Sequence, residues 1–368
     1  MNLSRSSPII FLSQMIVGVE NPLLDISVNC DEVLLEKYGL EANAAILAGP
    51  EHLPLYDEIK AFPDVFYCAG GATQNAMRCA QWILGGNTTE SKVSYMGCVG
   101  KDDNMEKMKH SVENISGVKA VYLIDQEQPT GTCGVLVSSH GKNRSLVANL
   151  GAANHFKLSH LQAHKDSVLD KAKLIYSSGF FITAATESLD FLANYVATSE
   201  TRPVFAFNLA APFICEVPPF RAVLMRTMTY VDVLFGNDAE AVALAKALAW
   251  DDIAENVPAL AQRLADLEKK GISADRKRIV VITQGSKDTV VATQGSSTAQ
   301  LFPIIPVAEK EIVDSNGCGD AYAGAFVAGF SLGKSVEECC KAGAYAGHEM
   351  IRRNGCSLPE QSTFTWSH

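Results

Sequence analysis

The run Asp314-Ser315-Asn316-Gly317-Cys318-Gly319-Asp320, continued by small and apolar residues from Ala321 to Phe330, constrains this chain more than any other stretch. Positions 321–330 hold no proline and no charge, so they read as a buried helix packed closely through its small residues. Gly317 and Gly319 admit backbone geometry and close approaches that a Cβ would obstruct. The free N–H groups at such a helix start make an anion site, which the helix dipole strengthens. Asp320 would repel an anion held there. Its useful role is to accept a proton from a hydroxyl attacking a phosphoryl group that the N–H groups hold. A plain capped helix with an acid in its first turn carries the same letters. The rest of the chain has to decide between them.

At 368 residues the chain is long enough for one large domain with an appendage, or for two domains. With 47% hydrophobic and 20% charged residues it suits a soluble globular protein with a sizeable core. A net charge of −10 gives little electrostatic support to a nucleic-acid or anionic-membrane partner. Phosphate chemistry must therefore rest on local donors. The ten cysteines form no Cys-x-x-Cys pair, which fits neither a zinc site nor a small disulfide framework, and reduced thiols in a cytoplasm are expected. The apolar run from Pro8 to Val17 is broken by Ser13 and Gln14 and lacks a small-x-small cleavage site. It reads as a first strand, Ile9–Val17, and not as a signal peptide. No 18-residue apolar stretch predicts a membrane span.

Beyond that strand, Asn21-Pro22-Leu23-Leu24-Asp25 places an Asn and an Asp where an open α/β sheet binds ligands. They could hold a vicinal diol, or form an Asx-turn. Residues 29–66 look irregular, with short amphipathic pieces. Gly70-Gly71 then opens a small-residue helix containing Asn75. Val118–Ile124, Thr132–Ser138 and Arg144–Ala148 are β-rich and joined by the turns 128–131 and 139–143, which predicts a small sheet inserted on the larger domain. Arg144 sits on this flap, where a solvated surface Arg is the plain alternative. After Ala153, strands are expected at Leu174–Ser177, Val204–Asn208, Val233–Phe235, Arg278–Thr283, Asp288–Thr293 and Ile304–Val307, with helices between them. This alternation predicts a doubly wound, mainly parallel α/β sheet. Asn237 and Glu240 share a helix face near its start and could hold Mg²⁺ through water, or form a capping box. Gly329…Gly333-Lys334-Ser335 imitates a P-loop but has one residue too few between its glycines.

Together, Asn-Pro-Leu-Leu-Asp at 21–25, Gly-Gly-Ala-Thr-Gln-Asn at 70–75, Gln-Pro-Thr-Gly-Thr-Cys at 128–133, Asn-Arg-Ser-Leu at 143–146, Phe-Gly-Asn-Asp-Ala-Glu at 235–240, Thr-Gln-Gly at 283–285 and the 314–320 motif resemble the ribokinase-like (PfkB) carbohydrate kinases, and within them the adenosine kinases. The resemblance spans nearly the whole chain. It implies a ribokinase-like fold with a small β-rich lid, the large domain taking 1–20, 71–124 and 150–368 and the lid 21–70 and 125–149. It also implies transfer of a phosphoryl group from ATP to the 5′-hydroxyl of adenosine, with Mg²⁺, in a cytoplasmic monomer without nucleic-acid or membrane partners. By matching positions, Asp320 is implied as base and Gly317, Cys318 and Gly319 as anion hole, with Arg144 closing over the phosphate. Asn21, Asp25, Gly70, Gly71, Asn75 and Asn316 would bind the nucleoside, and Cys133, Leu146 and Phe180 would line a purine pocket. Asn237, Thr283, Gln284 and Gly285 would meet the nucleotide, and Glu240 with Asn237 the metal. Departures fall at Cys318, where Ala is usual, and at Ala45, Ala72 and Ala344. Helix-start amides lower a thiol's pKa in general, so Cys318 could be oxidation-sensitive. Another sugar or nucleoside kinase, or a silent nucleoside-binding relative, remains open.

Overall fold

Fourteen strands run through the computed structural model, which describes residues 16–86, 90–139 and 143–367. In chain order they are β1 (Ile16–Val19), β2 (Leu23–Asn29), β3 (Ala45–Leu47), β4 (Phe66–Gly70), β5 (Val93–Gly100), β6 (Lys119–Asp125) and β7 (Thr132–Ser138). There follow β8 (Asn143–Asn149), β9 (Leu174–Ser178), β10 (Val204–Asn208), β11 (Val233–Asn237), β12 (Ile279–Gln284), β13 (Lys287–Thr293) and β14 (Gln300–Phe302).

Nine of them form one sheet in the order β14-β13-β12-β11-β10-β9-β1-β5-β6. It is parallel from β12 to β6 and closes with two antiparallel edge strands. Both faces of its middle are covered, so the central strands β1, β5, β9, β10 and β11 are largely apolar, whereas β6 and β14 at the edges are more exposed. Val17 and Val19 enter one core with Phe205 and Phe207, while Ile16 and Ala206 enter the core on the opposite face. The other five strands, in the order β3-β8-β7-β2-β4, build a second sheet over Leu55, Tyr56 and Ile59 of helix Leu53–Lys60.

Several expectations change here. Only Ile16 and Val17 of the expected first strand fall within the described residues, and that strand continues to Val19. The 118–124 segment does not join the small sheet: β6 pairs with β5 in the large one. The stretch read as irregular supplies β3 and β4, and Asp25 lies within β2, where a turn after a strand is one reading of the sequence. Ile304–Val307 forms no strand; Pro303 and Pro306 deprive it of ladder donors, and β14 ends before it. Of the 139–143 turn, residues 140–142 lie outside the described residues. The P-loop imitation is the end of helix Cys318–Ser331 and the capping box of Ser335 and Glu338 that starts helix Val336–Met350.

Helix Cys318–Ser331 is almost wholly buried between helices Ala72–Ile83 and Val336–Met350. Glycines make this possible. A Cβ on Gly324 would lie 2.1 Å from the carbonyl oxygen of Ala76, and one on Gly343 would overlap the ring of Tyr322. Because the obstacle at Gly324 is backbone, Gly324→Ala should destabilise the protein by about 1–3 kcal/mol. Equilibrium denaturation of the variant checks this; an unchanged midpoint would show that the two helices can separate freely.

Candidate functional site

A cleft of about 1450 Å³ lies between the carboxyl ends of the parallel strands and the small sheet. Glu20 and Asn21 reach it after β1, Phe180 after β9, Asn208 from β10, Asn237 from β11 and Gln284 from β12. The small sheet contributes Asp25, Ala45, Cys133, Arg144 and Leu146. Every residue singled out from the sequence lines this cleft except Gly70, which packs directly behind Asp25.

At its centre is the start of helix Cys318–Ser331. Gly317 caps it at φ 70° with no side-chain hydrogen bond; the Cys318 N–H makes a long 3.4 Å bond to the Ser315 carbonyl, and the N–H groups of Gly319 and Asp320 have no side-chain cap. A side chain at position 317 is doubly excluded: the backbone is left-handed, and a Cβ would sit 2.2 Å from the Cys356 sulfur. A Cβ on Gly319 would meet nothing within 4 Å, so that glycine leaves clear the space beside the amides. Asp320 accepts a hydrogen bond from Asn75 Nδ2 at 3.1 Å. Burial pushes its carboxyl up to about 6, against the pull of Asn75 and Arg144. Asp314 braces the loop, accepting N–H groups of Asn316 at 2.8 Å and Gly355 at 2.9 Å. Arg144 reaches across from β8, donating to Ser315 Oγ at 3.0 Å and lying 3.9 Å from Asp314. Its Nε is buried without a partner. Cys318, between the two glycines, is disfavoured as a thiolate. Burial pushes that thiol up to about 12, and the nearby Asp314 and Asp320 add to the rise.

The acceptor side is built by close approach. Asp25 sits so near Gly70 that a Cβ would be 1.9 Å from its Oδ1, and Gly71, at φ +90°, leaves room for the Asn21 carbonyl. Burial, then the charge of Asp320, pushes Asp25 up to about 7. Asn21 Nδ2 donates to the Phe180 carbonyl at 3.0 Å, while Asn21 Oδ1, Asn75 Oδ1 and Asn316 Nδ2 are buried with no partner. Unsatisfied polar atoms of this kind are rare in native proteins and fit a polar ligand. Cys133, Leu146 and Phe180 supply apolar wall beside them.

The opposite end is less prepared for a ligand. Asn237 and Glu240 form the capping box: Asn237 Oδ1 accepts the Glu240 N–H at 2.8 Å, and Glu240 accepts Asn237 N–H at 2.9 Å and Nδ2 at 2.8 Å. Gln284 Nε2 is spent on the Asp288 carbonyl at 2.7 Å, and Thr283 Oγ1 makes a long 3.4 Å bond to the Gly236 carbonyl. Gly285, at φ +59°, turns the chain between β12 and β13. Among the described residues no three His, Cys, Asp or Glu converge as metal ligands. Glu240 is nonetheless pushed up to about 7 by burial and by Asp320. Asp25 and Glu240 thus both feel Asp320 across the cleft. That concentration of negative charge fits a hydrated divalent cation held through its waters.

Four contributors carry little or no signal in the sequence. Asp314 and Ser315 belong to the motif without an evident role there, yet they dock Arg144. His348 lines the cleft with its Nδ1 buried and unpartnered; nothing in its surrounding sequence signals this. Glu20 lies fully buried behind Asn21, and its one signal is an acid directly following an apolar strand.

A family model for the pfkB family carbohydrate kinases matches residues 34–363. Adenosine kinase 2 of Arabidopsis thaliana is 42% identical over 351 residues, covering 95% of this chain and 97% of that protein. The adenosine kinase of Dictyostelium discoideum is 39% identical over 340 residues, 92% of this chain and 95% of that one. Anopheles gambiae adenosine kinase, solved in complex with P1,P4-di(adenosine-5) tetraphosphate, superposes with a TM-score of 0.86 at 39% identity, over 94% of this chain and 99% of the other. Adenosine kinase from Schistosoma mansoni in complex with 2-fluoroadenosine gives 0.86 at 32% identity, over 94% and 98%. On the span of the family match and the level of these identities, the chain belongs to the pfkB family of carbohydrate kinases.

Proposed function

We propose that the protein transfers the γ-phosphoryl group of ATP to the 5′-hydroxyl of adenosine, giving AMP and ADP. The observation that carries this reading is Asp320, a partly buried, desolvated acid in the first turn of a helix start without a side-chain cap, on the floor of a cleft with a polar acceptor wall. The full-length similarity to adenosine kinases selects the acceptor. Asn21, Asp25, Asn75 and Asn316 hold the ribose, and Cys133, Leu146 and Phe180 face the purine. As the 5′-oxygen bonds to the γ-phosphorus, the bond to the β-phosphate oxygen breaks and the hydroxyl proton passes to Asp320. With a folded value near 6, Asp320 is mostly ionised and able to accept it at neutral pH. The N–H groups of 317–319 and the Arg144 guanidinium stabilise charge developing on the phosphoryl oxygens. Asn237, Glu240 and the 283–285 turn face the nucleotide. Glu240 and Asn237 would hold Mg²⁺ through water, and the ion would neutralise charge on the phosphates when bound.

The lid comprises 21–70 and 125–149, and its closing with Arg144 and Leu146 would exclude water. We read the chain as a cytoplasmic monomer, which its ten free cysteines suit.

Asp320→Asn should lower turnover by about 10²–10⁴-fold while adenosine still binds. A coupled ATP-consumption assay over adenosine, inosine, guanosine and ribose measures both reaction and acceptor; turnover within a factor of about three of the parent would remove Asp320 as base. In the parent, kcat/KM should rise with pH along an acid limb near 6–7, because the base works ionised and the coupled Asp320 and Asp25 carboxyls are pushed up to about 6 and about 7. A flat profile between pH 5 and 8 would contradict this.

Asp25→Ala should raise the KM for adenosine roughly ten- to a hundredfold and leave that for ATP nearly unchanged, since a charged hydrogen bond is worth about 1.5–3 kcal/mol. Equal weakening of both substrates would point instead to a disturbed fold. Arg144→Ala should depress kcat more than it raises the adenosine KM, because its contact strengthens as charge develops. Steady-state kinetics decide, and an unchanged kcat would make Arg144 a surface charge.

A further inference from the structure

Glu20 is 1% exposed and carries a carboxyl into the floor of the cleft, next to Asn21. Burying a carboxylate is costly unless its oxygens are satisfied. Here both are. Oε2 accepts the N–H of Thr73 at 2.6 Å, and Oε1 accepts the Ser178 hydroxyl at 2.5 Å. These two partners lie 53 and 158 residues away along the chain, in helix Ala72–Ile83 and at the end of β9.

Each bond leads on to a residue facing the acceptor. Thr73 belongs to the first turn of helix Ala72–Ile83, whose cap residue Gly71 offers no side-chain hydrogen bond. Glu20 therefore supplies that cap from a different element. The same turn holds Asn75, which donates to Asp320. On the other wall, Ser178 Oγ accepts the N–H of Phe180 at 3.2 Å, and the Phe180 carbonyl accepts Asn21 Nδ2 at 3.0 Å. One carboxyl is thus a single bond from the turn that carries Asn75 and a single bond from the turn that carries Phe180.

We infer that Glu20 is a positioning residue for the phosphoryl acceptor, acting through Asn75 on one wall and through Phe180 and Asn21 on the other. The inference rests on the acceptor site assigned above, and Glu20 itself touches no substrate. Asp320 acts on Glu20, which in turn acts on the hydroxyls of Tyr95 from β5 and Tyr176 from β9; burial keeps both phenols neutral. Burial also pushes Glu20 up to about 7, which its two donors oppose. An apolar side chain of similar size would avoid that cost, yet it could not tie the two walls together.

The two bonds make separable predictions. Glu20→Ala loses both and should raise the acceptor KM roughly tenfold and lower kcat, with the KM for ATP within about twofold of the parent. Glu20→Gln can still accept from Thr73 and donate to Ser178, so it should recover most of the lost kcat/KM. Ser178→Ala frees only the Phe180 wall and should raise the acceptor KM while sparing kcat. In a double-mutant cycle, Glu20→Ala with Asn75→Ala should be clearly less damaging than the product of the two single effects. The kinetics are run with whichever nucleoside or sugar the parent phosphorylates, so failure of the adenosine assignment and failure of this inference remain distinct results. Equal shifts in both substrate KM values, no rescue by Gln, or simple multiplicativity with Asn75→Ala would each overturn the inference and leave Glu20 as a buried structural acid.

Discussion

The site depends on two helices lying backbone to backbone. Helix Cys318–Ser331 carries Asp320, helix Ala72–Ile83 carries Asn75, and the 3.1 Å bond between them exists because Gly324 lets the second helix press its Ala76 carbonyl against the first. A one-carbon side chain at that crossing would separate the two helix starts and pull the donor from the acid. The small-residue character of both helices is therefore a geometric requirement of the site as well as a mode of core packing. The rest of the cleft follows from the sheet. Parallel strands deliver Asn21, Phe180, Asn208 and Asn237 to one edge, and the smaller sheet faces that edge with Asp25 and Arg144.

That arrangement gathers more negative charge than it neutralises. Glu20, Asp25, Glu240 and Asp320 are all acids pushed upward, and for each the largest cause is loss of water. An acid raised in the folded state holds its proton longer there than in the unfolded chain, so these groups lower stability as pH rises from about 4 to about 7. The cleft is thereby strained in an electrostatic sense. A cation and a polyhydroxyl ligand would each relieve part of it. Arg144 already reaches toward the acids from the small sheet, and Asp314 and Ser315, in the loop before helix Cys318–Ser331, receive it.

How far the sequence can be read follows from how local each signal is. The 314–320 motif, the strands from Leu174 to Thr293 and the glycine pair at 70–71 are short-range patterns, and the letters alone are enough to find them. Asp25 stands out as a candidate, but its strand does not, because β2 owes its pairing to β4 and β7, the latter more than a hundred residues on. The strand at 118–124 has the same composition whichever sheet it joins; only the parallel partner β5 settles the matter. Ile304–Val307 looks like a strand from its apolar residues, and its prolines outweigh them. The role of the glycine pair is legible only in part. It makes room for Asp25 and for the Asn21 carbonyl, a contact between segments about fifty residues apart.

Cys318 shows where a correct local principle gives the wrong result. Helix-start amides do favour a thiolate, and the sequence places this cysteine between two glycines at such a start. Yet the same burial that raises Asp320 to about 6 raises the thiol to about 12, and Asp314 and Asp320 stand close enough to disfavour a second negative charge. Arg144 opposes them but is shared with the acids. Desolvation and like charge together outweigh the amides. A neutral thiol at 318 therefore adds no second negative charge beside Asp320 or at the helix start. The burial that raises Asp320 also keeps its neighbour neutral.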